Sequence, residues 1–445
     1  MNTFEKYKRL IKMGFAVILT GLLTGIYGFV WINHYNKIIS APFFRKGNWV
    51  MIFIYGLLLI FFLHMYGGFK VGFLRKGNLI YSQILAVVFT NFITYFQIAL
   101  QDKKFTTPLP LVVIVLVDAA VITLWTMIFQ WLYVKVFPPR KMLLISGDRS
   151  DYHLLEKMNA REDKYEICEI INYRVGMERL IKEIHKFDGI IVGDMPSHER
   201  NLIIKYCFAK HIRTYSVPKI SDILLRSSYE LNLFDSPLLL SRNNSGLQIE
   251  QEFAKRIVDI IMASVGAIIT APFFLIIAIS IKLTDGGPVI YKQTRLTKDG
   301  KEFEIFKFRT MIQDAEKDGV ARLAAEGDSR ILPVGKLLRA TRMDELPQIY
   351  NILKGDMSIV GPRPERPELA AELEKEIPEF SYRLQVKAGL TGYAQVYGKY
   401  NTTPYDKLKL DLTYIRNYSL LLDLKLIFMT PKILFLKEST EGVKE

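Results

Sequence analysis

The chain has 445 residues, and 50% of them are hydrophobic, which exceeds the apolar content usual for soluble proteins. The length predicts about two or three structural units. The net charge of +14 lies mainly in residues 1–141, which hold 15 Lys and Arg against 3 Asp and Glu. Charge placed beside apolar segments indicates membrane topology and excludes a nucleic-acid-binding protein. Two cysteines, Cys168 and Cys207, exclude a disulfide framework and a cysteine-rich metal site.

Four apolar runs in the first third of the chain each have about the 20 residues that cross a hydrocarbon core. They cover residues 13–32, 48–66, 78–100 and 111–134. The first is too long for a signal peptide, so we expect an uncleaved span. Lys and Arg number 10 in the tail, second loop and segment after the fourth span, against 5 in the other two loops. This bias predicts a transmembrane domain over residues 1–140 with both ends in the cytoplasm.

Short β-branched runs alternate with helical stretches after Lys141, which predicts a Rossmann-like α/β domain over residues 141–235. A dinucleotide site requires G-x-G-x-x-G after the first strand. The first turn here reads SGDRS and has one glycine. We therefore expect a structural or regulatory domain rather than a cofactor site. A Ser- and Asn-rich linker over residues 236–249 follows.

A fifth apolar run, residues 260–281, contains Pro272 near its middle, where a helix is expected to kink. A full span would place the preceding α/β domain and the following charged region on opposite sides of the membrane. A re-entrant helix would keep both in the cytoplasm. Basic residues at both ends, Lys255, Arg256 and Lys282, favour a re-entrant helix over residues 257–283. A buried helix of a soluble domain is the third alternative.

Two segments after this run carry further patterns. The stretch "PVIYKQTRLTKDGKEFEIFKFRTM" alternates on both sides of Asp299-Gly300, which predicts a β-hairpin. The stretch "LLLDLKLIFMTPKILFLK" near the C-terminus is interrupted by charges. It is typical either of an interfacial helix in the head-group layer or of a core helix of the preceding domain.

The adjacent acids Asp344 and Glu345 are followed by Pro347, which is tolerated in the first turn of a helix. We expect Asp344 at or near an N-cap, where free N–H groups favour its ionised form. A simple capping role for Asp344 is the alternative. The neighbouring cations suit a diphosphate substrate, and two carboxylates beside phosphate suit Mg²⁺. The cations are Arg330, Lys336, Arg339, Arg342, Arg363 and Arg366. The residues thus predict phosphoryl transfer at a membrane surface.

The segment "DELPQIYNILKGDMSIVGPRPERPE", with "FEIFKFRTM" before it and "KAGLTGYAQVYGKY" after it, resembles the bacterial sugar transferase family of monotopic phosphoglycosyl transferases. The whole chain resembles the large polyprenyl-phosphate hexose-1-phosphate transferases of exopolysaccharide and capsule synthesis. The resemblance implies a catalytic domain of mixed α/β fold over residues 250–445. It also implies transfer of a sugar 1-phosphate from a UDP-sugar to undecaprenyl phosphate, with release of UMP. The expected location is the cytoplasmic face of the bacterial plasma membrane, and relatives of this size suggest a homodimer.

The resemblance also assigns residues. Asp344 matches the nucleophile that forms a covalent phosphosugar intermediate, and Glu345 matches the acid that binds Mg²⁺ or deprotonates the lipid phosphate. Further positions match the family's substrate-binding motifs, and for each of the basic ones a surface salt bridge is the alternative. They are Lys307, Arg309, Arg339, Arg363, Gln395 and Asp411. The chain departs from the family in having Ala271-Pro272 where the kink often contains Ser-Pro.

Two rival functions make different demands on the sequence. A polytopic transporter needs polar residues within its spans, for which Asp118 and His64 are the chief candidates. A membrane-bound nucleotide-sugar dehydratase needs the glycine fingerprint that the SGDRS turn lacks. The transferase is therefore the preferred function.

Overall fold

The computed structural model describes residues 3–147, 152–159, 161–233, 236–241, 246–312, 328, 330–399 and 402–434. The chain forms two compact units, Met1–Pro218 and Lys219–Glu445. The first unit contains apolar helices and a small parallel sheet, and the second contains the paired acids. The boundaries drawn at residues 140, 235 and 249 stay predictions.

Among the described residues, five helices are long and apolar enough to cross a membrane. The first four coincide with the four predicted runs, which confirms a helical N-terminal region with several candidate spans. Their insertion into a bilayer stays a prediction. The five helices are Glu5–Ile38, Arg45–Tyr66, Lys76–Asp102, Leu109–Val136 and Ile249–Thr284.

The helices of the first unit pack as a bundle with a partly polar interior. Helix α1 contacts α3 and α5, and α4 contacts the same two helices. Inside, Thr126 donates a 2.8 Å hydrogen bond to Gln83, while Phe29 is 70% exposed on the outside. Polar side chains inside and apolar side chains outside suit a lipid solvent. The bounds are α1 Lys8–Val30, α2 Asn36–Ile38, α3 Arg45–Tyr66, α4 Lys76–Asp102 and α5 Leu109–Val136.

The sheet of the first unit has four parallel strands in the order β2-β1-β3-β4. At Gly147 in its first turn, a Cβ atom would lie 1.9 Å from the Asp194 carbonyl oxygen. The glycine therefore allows close backbone packing, which fits a structural domain. Residues 148–150 of the turn lie outside the described residues. The elements are β1 Arg140–Ser146, α6 Tyr152–Asn159, β2 Tyr165–Asn172, α7 Met177–Ile184, β3 Gly189–Val192, α8 Ser197–Ala209 and β4 Arg213–Ser216.

The second unit opens with a helix and a hairpin, α9 Ile220–Arg226, β5 Tyr229–Leu233 and β6 Ser236–Leu240. Strand β6 pairs antiparallel with β5, so the segment predicted as a linker over residues 236–249 begins with a strand, and its role as a linker stays a prediction. The sequence did not predict strand β6 for two reasons. The Ser and Asn content of the segment is typical of a linker, and the exposed leucines of β6 do not alternate with polar residues.

The long helix α10, Ile249–Asp285, continues through Pro272. After it, β7 Ile290–Leu296 pairs antiparallel with β8 Glu302–Phe308, which confirms the predicted hairpin. Its turn places Asp299 and Gly300 at φ values of 59° and 71°. Both values fall in the left-handed region that tight hairpin turns require.

The remaining elements of the second unit surround a core formed by α15 and its neighbours, including Leu408 and Leu412. Leu426 of α16 is fully buried in this core, while Leu421 is 79% exposed. Helix α16 is therefore a core helix with an apolar outer edge, and its interfacial placement stays a prediction. The elements are α11 Pro333–Ala340, α12 Gln348–Lys354, β9 Ser358–Val360, α13 Pro367–Glu376, β10 Gly389–Thr391, α14 Tyr393–Tyr397, α15 Pro404–Arg416 and α16 Leu420–Leu434.

Candidate active site

Asp344 and Glu345 lie in a 3₁₀ turn, Met343–Glu345, between α11 and α12. The turn is entered through Arg342, whose φ of 58° is left-handed. The predicted N-cap role of Asp344 is wrong, because Pro347 itself takes the N-cap position of α12 and no side chain caps that helix. The acids instead project from a sharp turn between two short helices.

Three cations surround the Glu345 carboxylate. Lys307 donates to Oε1 at 3.2 Å, Arg363 donates to Oε1 at 2.9 Å, and Arg342 lies 3.7 Å away. Glu345 is only 8% exposed. Burial alone would raise the pKa of Glu345, but Arg363, Lys307 and Arg342 together hold that pKa well below its usual range. Glu345 is therefore an ionised carboxylate that anchors a ring of positive charge.

Asp344 is in the opposite electrostatic situation. Its Oδ1 atom is buried and has no hydrogen-bond partner among the described residues. Burial and the neighbouring Glu345 raise the pKa of Asp344, while Lys307, Arg342 and Arg339 act against them. The expectation that a helix N-terminus stabilises the ionised form of Asp344 is therefore wrong. The site raises the pKa of this carboxyl and leaves one of its oxygens without a hydrogen bond among the described residues. Adjacent carboxyls with pKa values moved apart are typical of divided catalytic roles.

The raised pKa of Asp344 predicts the pH dependence of any reaction that needs its ionised form. Activity should fall as the pH drops through a value above the ordinary 3.8 of an aspartic acid, because protonation removes the reactive carboxylate. The pH profile of kcat/KM measures this. An acid limb at or below the ordinary value would contradict the assignment.

Strand β8 brings Lys307 to the acids through the side chain of Asn351. This side chain is fully buried, accepts from the Phe306 amide at 3.0 Å and donates to the Glu304 carbonyl at 2.7 Å. The two bonds tie α12 to β8 on either side of Ile305. Lys307, one residue beyond Phe306, is thereby held beside Glu345.

The loop over residues 361–365, here called the PRP loop, presents Arg363. Pro362 and Pro364 have no N–H, so the loop is held through its carbonyl groups. Each of four consecutive carbonyls accepts one hydrogen bond of 2.9–3.1 Å. The pairs are Gly389 N to Pro362 O, Arg383 Nη2 to Arg363 O, Arg295 Nη1 to Pro364 O, and Leu296 N to Glu365 O.

The first half of α10 is fastened to the elements beside the acids. Arg256 donates to the carbonyls of Ile352 and Leu353 at the end of α12. Asp259 accepts from the Ile359 amide of β9 at 2.9 Å. A cation at a helix C-terminus and a satisfied buried carboxylate are both stabilising. The apolar helix and the acid turn therefore belong to one packed structure.

The remaining predicted residues take different positions. Arg339 lies near Asp344 and donates through Nε to the Thr310 hydroxyl at 2.9 Å. Arg309 is buried against Gly287, where a Cβ would lie 2.4 Å from its Nη1. Lys307, Arg339 and Arg363 are thus brought to the acid pair, while Arg309 packs at the end of α10.

Gln395 and Asp411 form no hydrogen bond or ion pair with the acid pair among the described residues. Gln395 donates to the Leu390 carbonyl of β10 at 3.1 Å. Asp411 is 1% exposed and accepts from Arg383 at 2.8–2.9 Å. Asp411 is thus enclosed beside Arg383, and its assignment to substrate binding stays a prediction.

The acid pair offers oxygen atoms suited to Mg²⁺. Among the described residues, no cluster of three or more His, Cys, Asp or Glu side chains could hold a metal. Mg²⁺ commonly needs just one or two carboxylates, because substrate phosphates and water complete its coordination. Within the residues that the structure describes, Asp344 Oδ1 has no hydrogen-bond partner, and the hydrogen bonds to Glu345 all go to Oε1, which leaves Oε2 for a ligand. The residues fit the ion, and its binding stays a prediction.

Three residues that position the site were missed by sequence reasoning: Arg295, Asn351 and Arg383. Each acts through contacts with backbone carbonyls or amides that lie far away in sequence. The two prolines on either side of Arg363 were an available sequence signal for such residues. Because prolines have no N–H, the carbonyl groups of this loop require hydrogen-bond donors from other segments.

Comparisons with known proteins show the family of this chain. Residues 250–437 match the family model described as bacterial sugar transferase. A UDP-glucose:undecaprenyl-phosphate glucose-1-phosphate transferase of Caulobacter vibrioides is 39% identical over 219 residues, which are 47% of this chain and 82% of that protein. The chain belongs to the bacterial sugar transferase family.

Other bacterial sugar transferases differ in the sugar that their names specify. The UDP-N-acetylgalactosamine-undecaprenyl-phosphate N-acetylgalactosaminephosphotransferase of Aeromonas hydrophila is 38% identical over 259 residues, covering 55% of this chain and 58% of that protein. The undecaprenyl-phosphate galactose phosphotransferase of Salmonella typhimurium is 35% identical over 246 residues, covering 51% and 50%. The chain thus spans about half the length of these two curated relatives.

Proposed function

We propose that this bacterial sugar transferase moves a sugar 1-phosphate from a UDP-sugar to undecaprenyl phosphate and releases UMP. The observation that carries the proposal is the buried Asp344 Oδ1, which has no hydrogen-bond partner in the described part of the chain, beside a carboxylate surrounded by three cations. The names of the relatives supply the substrates. The pathway we propose is exopolysaccharide or capsule synthesis, and a relative of Streptococcus agalactiae is named galactosyl transferase CpsE.

The proposed reaction has two displacement steps. Asp344 attacks the sugar-bound phosphorus, the bond to the UMP oxygen breaks, and UMP leaves with the electron pair. A phosphate oxygen of undecaprenyl phosphate then attacks the same phosphorus, and the bond to Asp344 breaks to restore its carboxylate. In this proposal, Lys307, Arg339 and Arg363 neutralise the phosphate oxygens during both steps, which their proximity to the acid pair supports. Bound Mg²⁺ would add a further positive charge to the diphosphate.

The environment of Glu345 favours one of its two possible roles. A general base must take up a proton near neutral pH, which requires a pKa close to that range. The cations around Glu345 hold its pKa well below its usual range despite burial. We therefore propose that Glu345 orders the cations and binds Mg²⁺, and that it does not deprotonate the lipid phosphate.

The packing of α10 supports a re-entrant placement in the membrane. Before Pro272, Ala263 packs against Ile352, and after it, Ile277 and Ile281 pack against Leu338. Between these contacts, Ile268 is 76% exposed. Both halves of the helix thus contact the domain that carries the acids, whereas a helix that crossed the membrane fully would carry its second half away. We propose that this domain lies at the cytoplasmic face of the plasma membrane.

Release of UMP tests the proposed function. The full chain in nanodiscs should release UMP from at least one member of a panel of UDP-sugars, and sustained turnover should require undecaprenyl phosphate. Failure to release UMP from any UDP-sugar of the panel would contradict the proposal.

A further inference from the structure

Arg383 makes a buried contact with the PRP loop. It lies in a 3₁₀ segment, Pro378–Gln385, and is 5% exposed. Its Nε and Nη2 atoms contact Asp411 Oδ2 at 2.9 and 2.8 Å, and its guanidinium carbon lies 5.1 Å from the centre of the Phe380 ring. The guanidinium is therefore fixed on one side by a buried carboxylate and on one face by an aromatic ring.

Arg383 also holds the PRP loop at two residues, Arg363 and Glu365. Nη2 donates to the Arg363 carbonyl at 3.0 Å, and Nη1 lies 3.5 Å from Glu365 Oε1. The carbonyl that accepts from Arg383 and the side chain that donates to Glu345 both belong to Arg363. A rotation of the Arg363 backbone would therefore move the guanidinium that donates to Glu345 at 2.9 Å.

We propose that Arg383, oriented by Asp411, is a positioning residue that fixes the Arg363 guanidinium beside the acid pair. The proposal rests on the proposed function, because Arg363 is there a diphosphate-binding residue. Arg383 and Asp411 are 5% and 1% exposed and bond each other and the PRP loop, so the proposal assigns neither side chain a direct contact with a substrate. Asp411 then acts as the counter-ion that orients the Arg383 guanidinium toward the PRP loop. A lysine cannot reproduce this geometry.

A double-mutant cycle on UDP affinity tests this proposal, since UDP carries the diphosphate that all UDP-sugars share. Arg383→Lys keeps a positive charge beside Asp411 but cannot bridge Asp411 and the Arg363 carbonyl. We expect it to weaken UDP binding about tenfold in the otherwise unchanged full chain. In an Arg363→Ala background the same change should alter affinity by less than about twofold, because the residue it positions is gone.

The controls separate positioning from folding. Arg416→Lys changes an arginine of α15 that bonds the Ser227 hydroxyl and should leave UDP affinity within about twofold. If Arg383→Lys does not fold, the neutral pair Arg383→Gln with Asp411→Asn replaces it, and the same loss is expected. Equal loss with and without Arg363 would overturn the proposal. Absence of UMP release by the unaltered chain would instead contradict the proposed function.

Discussion

Replacing Asp344 by Asn should reduce UMP release by roughly 10³-fold or more, because an amide oxygen cannot serve as the proposed nucleophile. The change alters one buried group and little else, since Oδ1 has no partner among the described residues. Turnover with the UDP-sugar and undecaprenyl phosphate measures the effect. A variant with activity near that of the unaltered chain would refute the nucleophile assignment.

The stability of this variant distinguishes loss of chemistry from loss of fold. A carboxyl whose pKa is higher in the folded than in the unfolded chain costs folding free energy once the pH exceeds its unfolded pKa. Burial and Glu345 raise the pKa of Asp344 in this way. At neutral pH, Asp344→Asn should therefore unfold at the same or a higher temperature than the unaltered chain.

A matched control lies on the hairpin of the same domain. Glu304 pairs with Lys292, and both side chains are more than half exposed, at 58% and 57%. Surface pairs of this kind contribute little to stability. Glu304→Gln removes one carboxylate without touching the acid pair, so its UMP release should stay within about twofold of the unaltered chain.

Removal of Mg²⁺ should reduce UMP release about as strongly as the Asp344→Asn change. Excess EDTA should stop UMP release, because the diphosphate would then meet the paired carboxylates without the divalent charge that offsets their repulsion. Activity should return when Mg²⁺ is added beyond the chelator. EDTA already saturated with Mg²⁺ is the control, since it contains the chelator without removing the ion.

The same experiment discriminates between the proposed roles of Glu345. If Glu345 holds the ion, Glu345→Gln should raise the Mg²⁺ concentration needed for half-maximal activity. Full activity in excess EDTA would contradict a requirement for Mg²⁺. An unchanged Mg²⁺ requirement in Glu345→Gln would contradict the proposal that Glu345 binds the ion.

Local patterns in the sequence predicted much of the fold. Apolar runs of about 20 residues predicted the long helices, and alternation around Asp299-Gly300 predicted the β7–β8 hairpin. These features depend on neighbours in the chain. The strand β6 was missed because its pairing with β5 is a contact that composition does not specify.

The electrostatics of the acid pair could not be predicted from the sequence. Helix-start patterns placed Asp344 at an N-cap, yet Pro347 took that position and burial decided the direction of the pKa shift. Asp411 illustrates the same limit. Its residue type suits ligand binding, whereas its burial and its contact with Arg383 could not be predicted from the sequence.

Transfer of label from donor to protein tests the central claim most directly. The chain is incubated with a UDP-sugar labelled in the sugar-bound phosphate, without undecaprenyl phosphate, and the labelled peptide is identified by mass spectrometry. We predict label on Asp344, its loss when undecaprenyl phosphate is added, and no label in Asp344→Asn. Turnover with no labelled protein, or with the label on another residue, would contradict the account.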